Sequence, residues 1–280
     1  MSWAFMGKGI GLLWAVLLFV DFSTACHASP WPRQPGEQFN RTEVEAFWSR
    51  TNQQHFRQIV TRDYLELGLG DRLTLGGQLA AAVQESSGPG YTVIASGVSE
   101  AQLFAILHTE RKSPQRRNED TDPALGQDQH HRSERHRRDV HAWRLTGGVP
   151  TTKFNRGQRV MGHDAFVELS RLAGYGTKAF FAVADAGGRF SLGRDAHQLR
   201  VNGSLGFKRG EGLLLAQTFN TISLGEAEGA GTDFDLGQVS LSVVLPLRRR
   251  FKLEVGGRVD TYTRQVAPGQ SLFFAMWWTI

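Results

Sequence analysis

Cysteine is almost absent from these 280 residues: Cys26 is the single one, and it lies in the first 30 positions. That excludes a disulfide framework and a thiolate metal centre in the rest of the chain. Long apolar runs are missing as well. The longest, Ile10 to Val20, has 11 residues, whereas a helix that crosses a bilayer needs roughly 20. A bundle of membrane helices is therefore excluded. Proline is scarce at 9 residues and apolar residues reach only 40%, yet glycine is abundant at 32. Motifs that announce catalysis are missing too: there is no complete G-x-S-x-G, H-E-x-x-H or Walker loop.

What is present begins at the N-terminus. Lys8 precedes the apolar 11-mer, Asp21 ends it, and Cys26-His27-Ala28 follows. A basic start, a short apolar stretch and a small-residue site form a secretory signal, so residues 1–28 are read as a signal peptide cut before Ser29. The competing reading is an uncleaved anchor. Lipidation at Cys26 would want a large apolar residue three positions earlier, where Ser23 stands.

The remaining chain alternates. Leu272, Phe274, Met276, Trp278 and Ile280 place a large apolar residue at every second position up to the end of the sequence. Phe251, Leu253, Val255, Gly257 and Val259 alternate with Lys252, Glu254, Gly256, Arg258 and Asp260. Val239 to Leu245, Leu199 to Phe207 and Leu73 to Val83 repeat the pattern. A period of two marks strands with one apolar and one polar face. These runs are about ten residues long, longer than the mean of about five or six for soluble strands. An all-β, antiparallel, up-and-down transmembrane barrel explains both length and alternation, because one side chain in two faces lipid and the next faces a polar interior.

Twelve strands are predicted, near 38–48, 57–68, 72–84, 92–108, 140–150, 164–174, 178–190, 197–208, 212–224, 235–247, 250–263 and 271–280. The 92–108 strand is the least regular, with Glu100, Gln102 and His108 beside a mixed apolar set. Residues 111–139 have no periodicity and dense charge, and are read as a polar disordered insertion. By strand count it falls on the periplasmic side, where turns should be short. The alternative is a count off by one before it. His130, His131, His136 and His141 in and beside it have no recognised ligand spacing and sit among eight Arg or Lys residues, so no metal site is expected.

A family resemblance rests on Tyr64 to Gly77, YLELGLGDRLTLGG, which resembles the "YGLTDRLTLGG" hairpin of proteobacterial outer-membrane barrels that are uncharacterised or transporter-like. Leu213 to Gly225 and Val239 to Leu247 resemble later strands of that group. The resemblance implies fold and location, in the outer membrane of a Gram-negative bacterium, and brings no catalytic residues with it. The C-terminal strand is similar to the signal read by the barrel-assembly machinery, although that pattern usually ends in Phe or Trp and this one ends in Ile280.

Arg72, Arg144, Glu168, Arg200, Lys208, Lys252, Glu254, Arg258 and Asp260 are predicted to line the interior, with Glu254 able to reach water there. Expected partners are outer-membrane lipid, the assembly machinery and small solutes or ions. No nucleic acid, cofactor or metal is expected. A passive pore or solute channel and a closed structural or polymer-associated barrel remain open. A hydrolase is the weaker third, because Ser204, Asn202 and His197 lie close in sequence but His197 has the opposite strand parity.

Overall fold

The computed structural model describes residues 31–51, 54–109, 138–149, 151, 153–155, 158–161, 164–228, 233–248 and 250–280. The predicted signal segment 1–28 falls outside the described residues, and so does the predicted 111–139 insertion apart from its last two residues, which are not loop but the start of a strand. Among the described residues no helix is long and apolar enough to cross a membrane, which says nothing of strands.

The strands are β1 (Gln38–Arg50), β2 (His55–Gly68), β3 (Leu73–Gly88), β4 (Tyr91–His108), β5 (Arg138–Gly148), β6 (Lys153–Asn155), β7 (Gln158–Met161), β8 (Phe166–Gly176), β9 (Phe180–Ser191), β10 (His197–Arg209), β11 (Gly212–Leu224), β12 (Asp235–Arg248), β13 (Phe251–Arg264) and β14 (Gly269–Thr279). Twelve of them pair antiparallel with their neighbours and close where β1 meets β14. The predicted twelve-stranded antiparallel barrel is therefore the observed fold, with strand limits displaced by at most a few residues. β6 and β7 form a small separate hairpin in the span between the strands predicted near 140–150 and 164–174.

Closure follows from the pairing of the ends. Phe39 lies opposite Thr279 and Ser49 opposite Gly269, and Gln38 and Ile280 exchange both backbone hydrogen bonds, at 2.8 and 2.6 Å. No edge is left unpaired in a closed barrel, so the backbone polar groups of the strands are satisfied within the sheet. Both described ends of the chain lie at one rim, called here the terminus end. The opposite rim, the loop end, carries the connections 51–54, 149–165 and 225–234.

The predicted outward face is the exposed one. Leu272, Phe274 and Met276 are exposed while Phe273, Ala275 and Trp277 are buried; Trp278, expected on the same outward face, is the exception and is buried near the end of the strand. Val255 is exposed and Glu254 is not. β4 is irregular because it carries a bulge: Ala80 pairs with Glu100 but Ala81 with Val98, so Ser99 is the extra residue. One added residue exchanges the two faces. Ala95 therefore points inward above the bulge, and Phe104, Ile106 and His108 point inward below it. The mixed pattern near Glu100 is this change of parity.

The segment 110–137 joins β4 to β5. Its flanks stand at the terminus end, where the Thr109 amide donates to the His141 carbonyl (2.9 Å). The strand count before it was therefore correct.

Candidate functional site

The interior divides into an apolar layer and a charged one. The apolar layer lies at the terminus end, because strands β1, β9, β11 and β14 place Phe39, Phe181, Leu213, Leu215 and Trp277 inward there. Phe104, Ile106, Ala142 and Leu172 extend it along β4, β5 and β8, with Tyr64 between the two groups. Tyr64 stacks on Phe104 at 5.4 Å, and Phe39 meets Trp277 edge-on at 6.3 Å.

The segment before β1 crosses this layer. The Glu37 amide donates to the Gln34 carbonyl (2.9 Å), closing a turn in which Gly36 has φ +82°. A side chain is strained in that conformation, so glycine sets the turn. Beyond it, Arg33 is 5% exposed and donates from Nε to Glu66 Oε2 at 2.6 Å, with its guanidinium 4.5 Å above the Phe39 ring. Glu66, 1% exposed, also accepts from the Tyr64 hydroxyl at 2.6 Å. Trp31 then meets Phe181 of β9 edge-on at 6.0 Å. In the ring of strands β9 stands opposite β1, so the segment spans the terminus-end mouth. Gly68 makes room for it: a Cβ there would lie 2.1 Å from the Gln34 carbonyl oxygen.

Above the apolar layer is a cavity of about 500 Å³, whose wall runs from Phe39 and Trp277 up to Thr221 and Phe234 near the loop end. Charges on this wall, with Glu45 behind it, form two clusters. In the first, Arg41 pairs with Glu43 and with Glu254 (2.9 Å), Arg62 bridges Glu43 (2.6 Å) and Glu45, and Arg258 reaches Glu45 (3.0 Å). In the second, Arg144 pairs with Asp185 (2.6 Å), while Glu168 receives Arg189 (2.9 Å) and Arg200 (3.1 Å). Between them, Glu100 accepts from Gln78 (2.7 Å) and Gln102 (3.0 Å). Arg144 Nε, Arg189 Nη2 and Arg258 Nε are buried without a hydrogen-bond partner.

Of the nine residues predicted to line the interior, Arg144, Glu168, Arg200, Glu254 and Arg258 stand on the cavity wall. Asp260 lies higher, accepting from Gln238 (2.7 Å) and from the Gly269 amide (2.7 Å). Lys252 is half-buried near the terminus end. Lys208 is exposed, 6.0 Å from the Phe181 ring. Arg72 is exposed in the turn before β3. Parity gives the direction of a side chain but not its height, and these last positions stand at the rim. Glu254 departs from expectation in another way. It is 0% exposed and accepts from Arg41, Ser242 (2.7 Å) and Trp277 Nε1 (2.9 Å) rather than from open water.

Alternation alone did not single out Arg41, Glu43, Glu45, Arg62, Asp185 and Arg189. In β1 the charged Arg41, Glu43 and Glu45 share a face with Phe39 and Phe47, while the outward Asn40 and Thr42 are polar. The usable signal was the run of charges at 41, 43 and 45 opposite Arg62. The hydroxyl, amide and imidazole weighed as a hydrolase do not converge. Ser204 Oγ accepts from Gln217 (3.3 Å), Asn202 donates to Asp185 (3.5 Å), and His197 accepts from the Ser191 amide (3.2 Å) at the loop end. His141 is exposed on the outer face of β5, and the other three histidines of its group lie outside the described residues. Among the described residues no cluster could hold a metal ion.

No protein-family model and no curated protein matches the sequence. Solved structures match the fold. An outer membrane channel from Pseudomonas putida F1 superposes with a TM-score of 0.65 at 13% identity, covering 92% of this chain and all of that one. The NanC porin gives 0.51 at 7% identity, over 85% of this chain and 98% of its own. Outer membrane phospholipase A from Escherichia coli, at 0.44 and 8%, is too distant to carry an argument. At such identities the likeness is one of architecture, and the chain has the closed antiparallel β-barrel fold of outer-membrane channels and porins.

Proposed function

We propose that this chain is an outer-membrane channel for small solutes or ions whose terminus-end mouth is held closed at rest by residues 31–37. The observation that carries the reading is the cavity itself. A space of about 500 Å³ with charged walls continues toward the loop end and stops at an apolar layer crossed by a separate piece of chain. A barrel filled for stability alone needs no such space, since eight strands already let side chains fill the interior. The outward apolar face supports a lipid setting, and the signal peptide predicted over 1–28 would provide export. The terminus end would then face the periplasm, and β14 would be the strand offered to the assembly machinery. No catalytic residues are assigned.

A second reading, a closed structural or polymer-associated barrel, is favoured by the pairing of most interior charges. Conductance separates the two. Purified protein in planar bilayers should give small, infrequent openings. Arg33→Ala, which removes the guanidinium from Glu66 and Phe39, should raise open probability at least several-fold. Silence of both proteins, each correctly folded, would favour the closed barrel over the channel.

A further inference from the structure

The outward face of the barrel is apolar over most of its height; Arg57 and Glu85, opposite each other on β2 and β3, stand on it toward the loop end, and Asp63 and Arg171 interrupt it nearer mid-height. Asp63 on β2 is exposed, with Ile59 and Leu65 on the same face above and below it and Leu79 across the ladder. Its described partner is one hydroxyl, that of Thr42, at 2.6 Å. Arg171 on β8 is exposed between Val167 and Leu169 on one side and Ala173 and Tyr175 on the other. Its guanidinium lies 5.2 Å from the Trp143 ring, and among the described residues no carboxylate pairs with it.

The two lie at the same depth. Asp63 is five residues from the end of β2 at Gly68, and Arg171 five residues from the end of β8 at Gly176. Both of those ends are touched by the N-terminal segment, at Gln34 and Trp31, so both stand at one rim. A charge facing hydrocarbon near mid-height is costly because it leaves water without a counterion, whatever its sign. One unpaired acid and one unpaired base at a common depth offset each other when two barrels meet.

We infer that Asp63 and Arg171 are the two halves of a contact between copies of this chain, the Asp63 face of one barrel seated against the Arg171 face of the next. β2 and β8 are four steps apart in a ring of twelve, about 120° around the barrel, so the contact is head-to-tail. Repeated, it builds a row or a closed ring in the plane of the membrane. Thr42 and Trp143 flank the ion pair. The strands run the same way in both copies, which sets Thr61 beside Leu169 of the neighbouring copy.

Disulfide trapping in the membrane tests this. Cys26 is the sole native cysteine and lies in the predicted signal segment. Thr61→Cys with Leu169→Cys should therefore give a ladder of cross-linked oligomers on mild oxidation of outer membranes. Adding Arg171→Asp should remove the ladder. Adding Asp63→Arg as well reverses both charges and should restore it. Heat-modifiable gel migration of each variant shows that the barrel has folded. Folded monomer throughout overturns the inference and leaves Arg171 to reach a lipid phosphate. A ladder indifferent to both charge changes overturns it too.

Discussion

Substitution of Glu254 probes the interior most directly. The carboxylate is wholly buried and accepts from Arg41 through Nε (3.2 Å) and Nη2 (2.9 Å), from Ser242 and from Trp277. In Glu254→Gln the amide oxygen still accepts from some of these donors, but its NH2 group faces donors, and Arg41 loses one of its two carboxylates. Charge-assisted hydrogen bonds contribute about 1.5–3 kcal/mol each, and breaking a buried ion pair costs about 3–5 kcal/mol. Arg41 keeps Glu43, so the lower part of that range applies, and about 3 kcal/mol is expected. The measurement is urea unfolding of refolded protein in lipid vesicles, read by the loss of heat-modifiable migration. Asp260→Asn is the comparison, since Asp260 accepts from two neutral donors and should cost about 1 kcal/mol. Glu254→Gln within 0.5 kcal/mol of the unmodified chain would refute the reasoning and mean that water or another cation takes the place of the lost charge.

Val255→Arg, which turns a charge into lipid beside Glu254, should lower folding yield by an amount equivalent to about 2–4 kcal/mol, read as folded fraction on unheated gels. Gly68→Ala places a methyl group against Gln34 and Arg33 and should displace the N-terminal segment, raising conductance as Arg33→Ala does while the strand ladder persists. Deleting 113–137 should leave a folded barrel, because Thr109 and His141 are already hydrogen-bonded neighbours that a short connection can join; loss of heat-modifiable migration would count against it. Sequencing the N-terminus of membrane-extracted protein should find Ser29, and a retained Met1 would contradict the signal peptide.

The parts of the fold legible in the sequence were those where inside and outside differ in polarity. β13 is the clear case: Lys252, Glu254, Arg258 and Asp260 point inward, Val255 and Val259 outward, and parity alone assigned them. The terminus-end layer defeats that rule because its interior is apolar. In β11, Leu213 and Leu215 face inward while Leu214 faces outward, so hydropathy carries no direction there. Phe39 inward beside Asn40 outward inverts the expected polarity altogether. The N-terminal segment was invisible for a different reason. Its residues hold their place through the buried Arg33–Glu66 ion pair, the contact of Trp31 with Phe181 on a strand far away in sequence, and the stacking of Arg33 over the nearby Phe39, and no local period records that. The cluster around Glu43 was half hidden because β13, which brings Glu254 and Arg258, comes within reach of β1 only when β14 pairs with β1 and closes the barrel.

That adjacency bears on the order in which the barrel is made. β1 and β2 emerge first and carry Glu43, Glu45 and Arg62, whereas Glu254, Arg258, Ser271 and Trp277 arrive with the last two strands. Arg258 and the Ser271 hydroxyl reach Glu45, and Arg41 reaches Glu254, across the seam where β14 meets β1. An open sheet therefore holds buried-type carboxylates without their full set of donors, and the same groups are satisfied once β14 docks on β1. A chain that stops short of β13, or that pairs β14 out of register, therefore leaves these carboxylates without the donors they have in the closed barrel.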